Sequence, residues 1–277
     1  MAMILMYITN HPEVAIIAQE AGVDRIWIDL EVKGKEERQK GMNTVKSHHS
    51  IEDIAKIKSV LTTSELMVRV NPMDEESEDE INQVIEAGAE YIMLPMFKTN
   101  EEVEKFLEIV DGRVKTILLL ETAEAAEGIE TYIDLPGIDE VHIGLNDLHL
   151  AYKKDFMFEL MADGTVDRLS KVLNERNIRF GVGGLARIGY GMLPAEVILT
   201  QHYKLGSKMA ILSRSFCDAN TVEKPQKVKK EFIVGVQNIR MYEKKIEKYS
   251  NLEYEENYLI LEEKVQQIVE TIRRRRQ

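Results

Sequence analysis

The residues whose types and spacing could do chemistry are polar groups that close short apolar runs. Asp29 and Glu31 follow Ile26-Trp27-Ile28, and Arg69 and Asn71 close the run at Met67-Val68. Glu121 directly follows Ile117 to Leu120, and Asp147 lies just past Glu140 to Ile143 in Gly144-Leu145-Asn146-Asp147. An ionised carboxylate that emerges from an apolar run is costly to leave unpaired, so Glu121 calls for a cation. Two carboxylates from adjacent strand ends can converge on one hard cation, Mg2+ or Mn2+, which keeps waters and takes substrate oxygens as its other ligands. The competing reading pairs Glu121 with Arg69 and makes Asp147 the cap of a short helix at Leu148; spacing alone does not separate the two. Arg69 cannot shed its charge. It needs either a neighbouring carboxylate or a substrate carboxylate or enolate held by its planar fork. Asp29 and Glu31 could orient Arg69 or a metal-bound water, or form a purely structural ion pair.

Four further groups stand beside these. His48 and His49 lie ahead of a helix start, and an imidazole can serve as acid or base near neutral pH; His49, nearer the helix, is the candidate, and His48 reads as a solvated loop residue. His142 is expected inside or behind the sheet, and His149 reads as a helix residue rather than a ligand. Asn71, Gly183, Gly184 and Arg187 are candidates for holding substrate, and Ser213-Arg214-Ser215 ends the last apolar run. Loops in these late positions can cradle phosphate through backbone amides and a short helix start. The two glycines could equally serve tight passage of the chain or close approach of an organic substrate. Lys98 extends the fourth run.

The elements that must position these groups follow from periodicity. Eight short, β-branched runs are read as strands: 3–8, 25–29, 66–70, 91–94, 115–120, 140–143, 179–182 and 208–212. Amphipathic stretches fill the intervals, at 12–21, 51–61, 78–87, 101–110, 123–129, a long helix ending near Asn177, and 194–204. Ser50 with Asp53 resembles a capping box with Asp in place of Glu, Thr99-Asn100-Glu101-Glu102 puts polar caps and carboxylates at a helix start, and Gly22, Gly88 and Gly206 each stand where a left-handed residue would end a helix. Alternating strands and helices predict a parallel sheet. Eight units suit a closed (β/α)8 TIM barrel, whose strand ends line the active-site mouth, better than an open sheet. No Gly-rich dinucleotide fingerprint opens the first helix. The barrel is assigned to residues 1–220, and two charged amphipathic helices in 221–277 form a C-terminal extension that packs on the barrel or on a neighbouring subunit.

Composition narrows the function. At 277 residues, the chain matches the usual length of one such barrel. No apolar run approaches the roughly 20 residues of a membrane span, and no signal-peptide pattern opens the chain, so a cytoplasmic protein is expected. A formal net charge of -12 argues against nucleic acid or anionic lipid as partner. The single cysteine, Cys217, excludes an internal disulfide and reads as a packed small residue.

With these residues assembled, the chain resembles the HpcH/HpaI aldolase and citrate lyase β-subunit family over roughly Ile26 to Cys217. The resemblance rests on linked motifs in order: Trp27-Ile28-Asp29-Leu30-Glu31, Val68-Arg69-Val70-Asn71, Met93-Leu94-Pro95-Met96, Leu120-Glu121-Thr122 and Ile143-Gly144-Leu145-Asn146-Asp147-Leu148. It implies a metal-dependent TIM barrel in which Glu121 and Asp147 are the metal ligands and Arg69 the enolate-binding arginine. The implied activity is a carbon–carbon lyase acting on a small oxo acid or acyl thioester, in a homo-oligomer that exchanges terminal helices. The chain departs from the family in three places. Val32-Lys33-Gly34 stands where pyruvate-class aldolases have a histidine, the segment after Asp147 is bulky and charged, and strand 7 ends differently. The sequence therefore also leaves open the same metal-enolate chemistry on a phosphorylated substrate, and a barrel that binds a metabolite or partner without turnover.

Overall fold

A computed structural model describes residues 2–34, 49–217 and 225–276. Eight parallel strands close a barrel in sequence order: β1 (Ile4–Ile8), β2 (Arg25–Asp29), β3 (Glu65–Arg69), β4 (Tyr91–Leu94), β5 (Lys115–Leu120), β6 (Glu140–Ile143), β7 (Arg179–Leu185) and β8 (Met209–Leu212). Closure is made by β1 against β8, with Ile4 opposite Met209 and Met6 opposite Ile211. The TIM barrel expected from eight βα units is thus the architecture. His48 and the expected boundary after residue 220 lie outside the described residues.

The helices are α1 (Pro12–Glu20), α2 (Ile51–Lys58), α3 (Ser77–Glu86), α4 (Asn100–Val110), α5 (Ala123–Glu127), α6 (Ile129–Tyr132), α7 (Leu145–Ala151), α8 (Glu159–Ala162), α9 (Thr165–Glu175), α10 (Ala195–Leu205), α11 (Pro225–Ile246) and α12 (Asn251–Arg276). Local chemistry sets their ends. Thr99 caps α4, accepting from the Glu102 amide at 3.3 Å while Glu102 accepts from Thr99 at 3.0 Å, and Gly22, Gly88 and Gly206 all adopt the positive φ expected of them.

Two expectations are corrected. The long helix before Asn177 is three pieces, because Lys153 and Gly164 take left-handed conformations that end each helical run. Strand 7 runs on to Leu185 rather than stopping at Val182, because a register shift against β8 between Gly181 and Gly184 absorbs the glycines into the strand.

Alternation along the strands makes two cores. Outward-facing residues such as Ile26, Ile28, Val68, Ile92 and Val141 pack under the helices. Inward-facing Met6, Trp27, Met67, Met93, Ile117, Leu119 and Met209 fill the barrel itself. Below that apolar layer, Arg25 plugs the amino-terminal end, bound by both oxygens of Glu140 and by Glu65 and lying 3.9 Å from the Tyr91 ring centroid. A buried charge must be paired, and this one is. At the opposite, carboxyl-terminal end Asp29 and Arg69 close β2 and β3, and Glu121 follows β5. Cavities of about 520 and 550 Å³ border the amino-terminal end, among Lys115, Asp139 and Arg179 or Arg113. They lie away from the strand ends that carry Asp29, Arg69 and Glu121.

After β8, α11 packs on α1 and α10, and α12 packs on α10 and α8. The extension thus covers the barrel of its own chain. No helix among the described residues is long and apolar enough to cross a membrane.

Candidate active site

Strand register decides which polar groups meet. Asp29 and Arg69 end β2 and β3 as direct Cα partners, so both side chains point to the barrel axis at the same height. The Arg69 fork closes on Asp29 with Nε to Oδ1 and Nη2 to Oδ2, both at 2.8 Å. Nη2 also reaches Glu31 Oε2 at 3.2 Å. The guanidinium lies 5.1 Å from the Trp27 ring centroid. Burial opposes the Arg69 charge, but Asp29 and Glu31, with Glu121 further off, outweigh it and hold its pKa above the ordinary arginine value. The partner of Arg69 is thus the Asp29–Glu31 pair and not Glu121. Its remaining nitrogen, Nη1, makes no hydrogen bond to the described residues.

Glu121 follows β5 and Gly144 follows β6, one step beyond the Leu120–Ile143 pair, and the Gly144 amide donates to the Leu120 carbonyl at 2.9 Å. The two positions are side by side. A Cβ on Gly144 would stand 2.9 Å from Glu121 Oε2, so glycine here leaves the carboxylate its room. Glu121 is buried and accepts from the Met96 amide at 3.3 Å. Asp147 sits in the first turn of α7, three residues past Gly144. The residue types suit a hard cation in donor chemistry: Glu121 just past β5, in a cradle that a methyl would fill, and Asp147 in the first turn of the helix that follows β6. Among the described residues, no three His, Cys, Asp or Glu side chains are grouped to hold a metal. Such an ion would therefore draw its other ligands from water and substrate.

His49 lies against the end of β2, where its Nδ1 accepts the Asp29 amide at 3.0 Å. An accepting Nδ1 carries no proton, so the neutral ring is the Nε2–H tautomer, a donor on its other edge. His142 is fully buried beside β7, its Nε2 within 3.1 Å of the Gly183 carbonyl. Burial, with Arg69 nearby, pushes its pKa down to about 4. His149 bonds the Leu145 carbonyl within α7 at 3.1 Å, as a helix residue would.

The remaining candidates disperse. Asn71 Oδ1 accepts the Val32 and Lys33 amides at 2.9 and 3.1 Å, and its Nδ2 donates to Glu80 at 2.7 Å. Three of the carboxamide's hydrogen-bonding positions are thus spent inside the protein. Gly183 has φ +49, and a Cβ there would meet Leu145 Cδ1 at 2.7 Å; a Cβ on Gly184 would come 3.3 Å from the Ile211 carbonyl. Close passage of the chain accounts for both. Arg187 turns to α11, lying 3.8 Å from Glu231 and 4.3 Å from the Tyr190 ring. Lys98 pairs with Glu124 at the surface, and Cys217 is buried. Glu80 was not legible as part of this neighbourhood, because an acidic residue on a helix face reads as solvated.

A model of the HpcH/HpaI aldolase/citrate lyase family matches residues 3–156, more than half of the 277. No curated protein matches the chain. Among solved structures, the HpcH/HpaI aldolase from Desulfitobacterium hafniense DCB-2 is 14% identical, with 83% of this chain and 93% of that one covered and a TM-score of 0.61. An HpcH/HpaI aldolase/citrate lyase family protein from Burkholderia cenocepacia J2315 is 15% identical, with 82% and 95% covered and a TM-score of 0.62. At such identities these two likenesses speak for the fold alone.

Proposed function

The chain belongs to the HpcH/HpaI aldolase/citrate lyase family, and from that premise we propose that it is a divalent-metal-dependent carbon–carbon lyase. It would act through the enolate of a small 2-oxo acid or acyl thioester. Membership itself supports a lyase-type activity; the metal, the enolate and the substrate class are our reading of the site. What carries that reading is the Arg69 fork, clamped by two buried carboxylates at the mouth with Nη1 uncommitted. Three carboxylates, Asp29, Glu31 and Glu121, act on that one guanidinium. An anionic oxo acid would be repelled from such a site unless a cation were held with it.

Glu121 and Asp147 would hold that cation. When bound, it supplies Lewis-acid polarisation of the substrate oxygens. Arg69 Nη1 donates to the oxygen on which the enolate charge collects, and a donor fixed beforehand needs no reorganisation as charge develops. The Asp29–Glu31 clamp keeps the guanidinium in place. His49, with Nδ1 committed to the Asp29 amide, acts as an Nε2–H donor rather than as the base. Proton movement next to the carbonyl then falls to the carboxylates held against Arg69, Asp29 or Glu31. Cytoplasmic residence, a C-terminal helical extension over 221–277 and assembly as a homo-oligomer belong to the same reading. The exposed Leu252 and Leu259 on α12 support that assembly. A phosphorylated substrate is disfavoured by the turn of Arg187 towards α11.

The test is exchange of pyruvate methyl protons in D2O with Mg2+, followed by proton NMR. Exchange that needs Mg2+ and is abolished by Glu121→Gln supports the proposal. Exchange unchanged by that substitution, or absent from the wild type across a panel of oxo acids and thioesters, overturns it.

A further inference from the structure

The chain that leaves β2 carries Glu31, yet the sheet stops supporting it at once. The last ladder bond there runs from the Leu30 amide to the Arg69 carbonyl at 2.9 Å. The next three amides all donate to side chains: Glu31 to Asp29 Oδ1 at 3.2 Å, and Val32 and Lys33 to Asn71 Oδ1 at 2.9 and 3.1 Å. Asn71 is held in turn by Glu80 on α3. Glu80 Oε2 accepts the Asn71 backbone amide at 3.0 Å, and Oε1 accepts Asn71 Nδ2 at 2.7 Å. Both donors of Asn71 that point at α3 therefore end on one carboxylate, and both lone pairs of its Oδ1 face the β2 loop. This orientation is the only one that satisfies the loop amides and Glu80 together.

We infer that Glu80 is a positioning residue of the active site, acting through Asn71 to set the loop that presses Glu31 against Arg69. The inference rests on the lyase reading for its catalytic consequence, but the posture of Arg69 can be read without turnover. Trp27 is the chain's one tryptophan. It is buried, and the Arg69 guanidinium lies over its ring, so its emission reports where that guanidinium sits. Residues that orient a site through hydrogen bonds typically change affinity or activity by about 10–100-fold when removed.

The polarity of the Asn71–Glu80 bond supplies the experiment. Glu80→Gln sets two amide groups against each other, and Asn71→Asp sets two carboxylates against each other. The double variant reverses the direction of the side-chain bond while leaving an acceptor for the loop amides, an acceptor for the residue 71 backbone amide and the same net charge. Each single variant is expected to lower kcat for Mg2+-dependent pyruvate exchange by about 10–100-fold with a smaller change in KM, and to shift Trp27 emission in the metal-free protein. The double variant is expected to return both to within about threefold of wild type in rate and to the wild-type emission maximum. Single variants that lose thermal stability while keeping kcat and emission would overturn the inference, as would a double variant that recovers stability alone. If the wild type shows no exchange, the lyase reading fails and Trp27 emission of the four proteins still decides the brace.

Discussion

Gly144 is the position where one added methyl would press hardest on the proposed metal site. Its φ of -84 is open to any residue, so Gly144→Ala carries no left-handed strain. The new Cβ would stand 2.8 Å from Glu121 Cβ, 2.9 Å from Glu121 Oε2 and 3.1 Å from Leu119 Cδ1. Carbon atoms prefer about 3.5–4.0 Å, so Glu121 must retreat by roughly 1 Å or the β6 end must give way. Overpacking of this size costs about 1–3 kcal/mol of stability. A misplacement near 1 Å can cost about 100-fold in rate. The assay pairs thermal unfolding with calorimetric titration of Mn2+ into wild type and variant. The expected result is a folded variant, modestly less stable, whose Mn2+ affinity falls at least tenfold and whose pyruvate exchange falls about 100-fold. A stable variant with wild-type affinity and exchange would refute the assignment of Glu121 as a ligand in this cradle.

Two further outcomes are expected. His49→Gln, which retains an amide donor near the Nε2 position, should keep exchange within about tenfold of wild type, whereas His49→Ala should lose more; equal losses of about 100-fold or more in both would instead make His49 the base. The pKa of His142 is lowered from 6.5 to about 4 by burial. Between those values the unfolded chain takes up a proton that the folded one refuses, so stability falls as pH falls from 6.5 towards 4. The loss approaches about 3 kcal/mol for this group. Urea unfolding at pH 7 and pH 5 measures it; a His142→Gln variant with the same acid sensitivity as wild type would refute the assignment.

The strands were legible because inward and outward faces are both buried here, and β-branched runs bounded by polar residues record that directly. Arg69 and Glu121 were legible for the same reason: a charge at the end of an apolar run is conspicuous. What periodicity does not record is the direction of a hydrogen bond between elements. Asn71 read as a substrate ligand because it follows a strand, while the acceptor that claims it, Glu80, looks from its own helix like any solvated acid. Arg187 read as a phosphate ligand until its pairing across to Glu231 was visible, a contact between segments far apart in sequence. The glycines at 183 and 184 read as a loop because a strand that continues through a register shift leaves no alternation to detect. Arg25 and Glu140 read as ordinary strand starts, although barrel closure brings them together as a buried plug.

The central claim is a metal-enolate site made by Glu121, Asp147 and Arg69, and calorimetric titration of Mn2+ tests it most directly. The titration is run with and without pyruvate, on wild type and on Asp147→Asn. The account predicts binding to wild type that tightens when pyruvate is present and is lost in the variant. A well-folded wild type that binds no Mn2+ under either condition would contradict it.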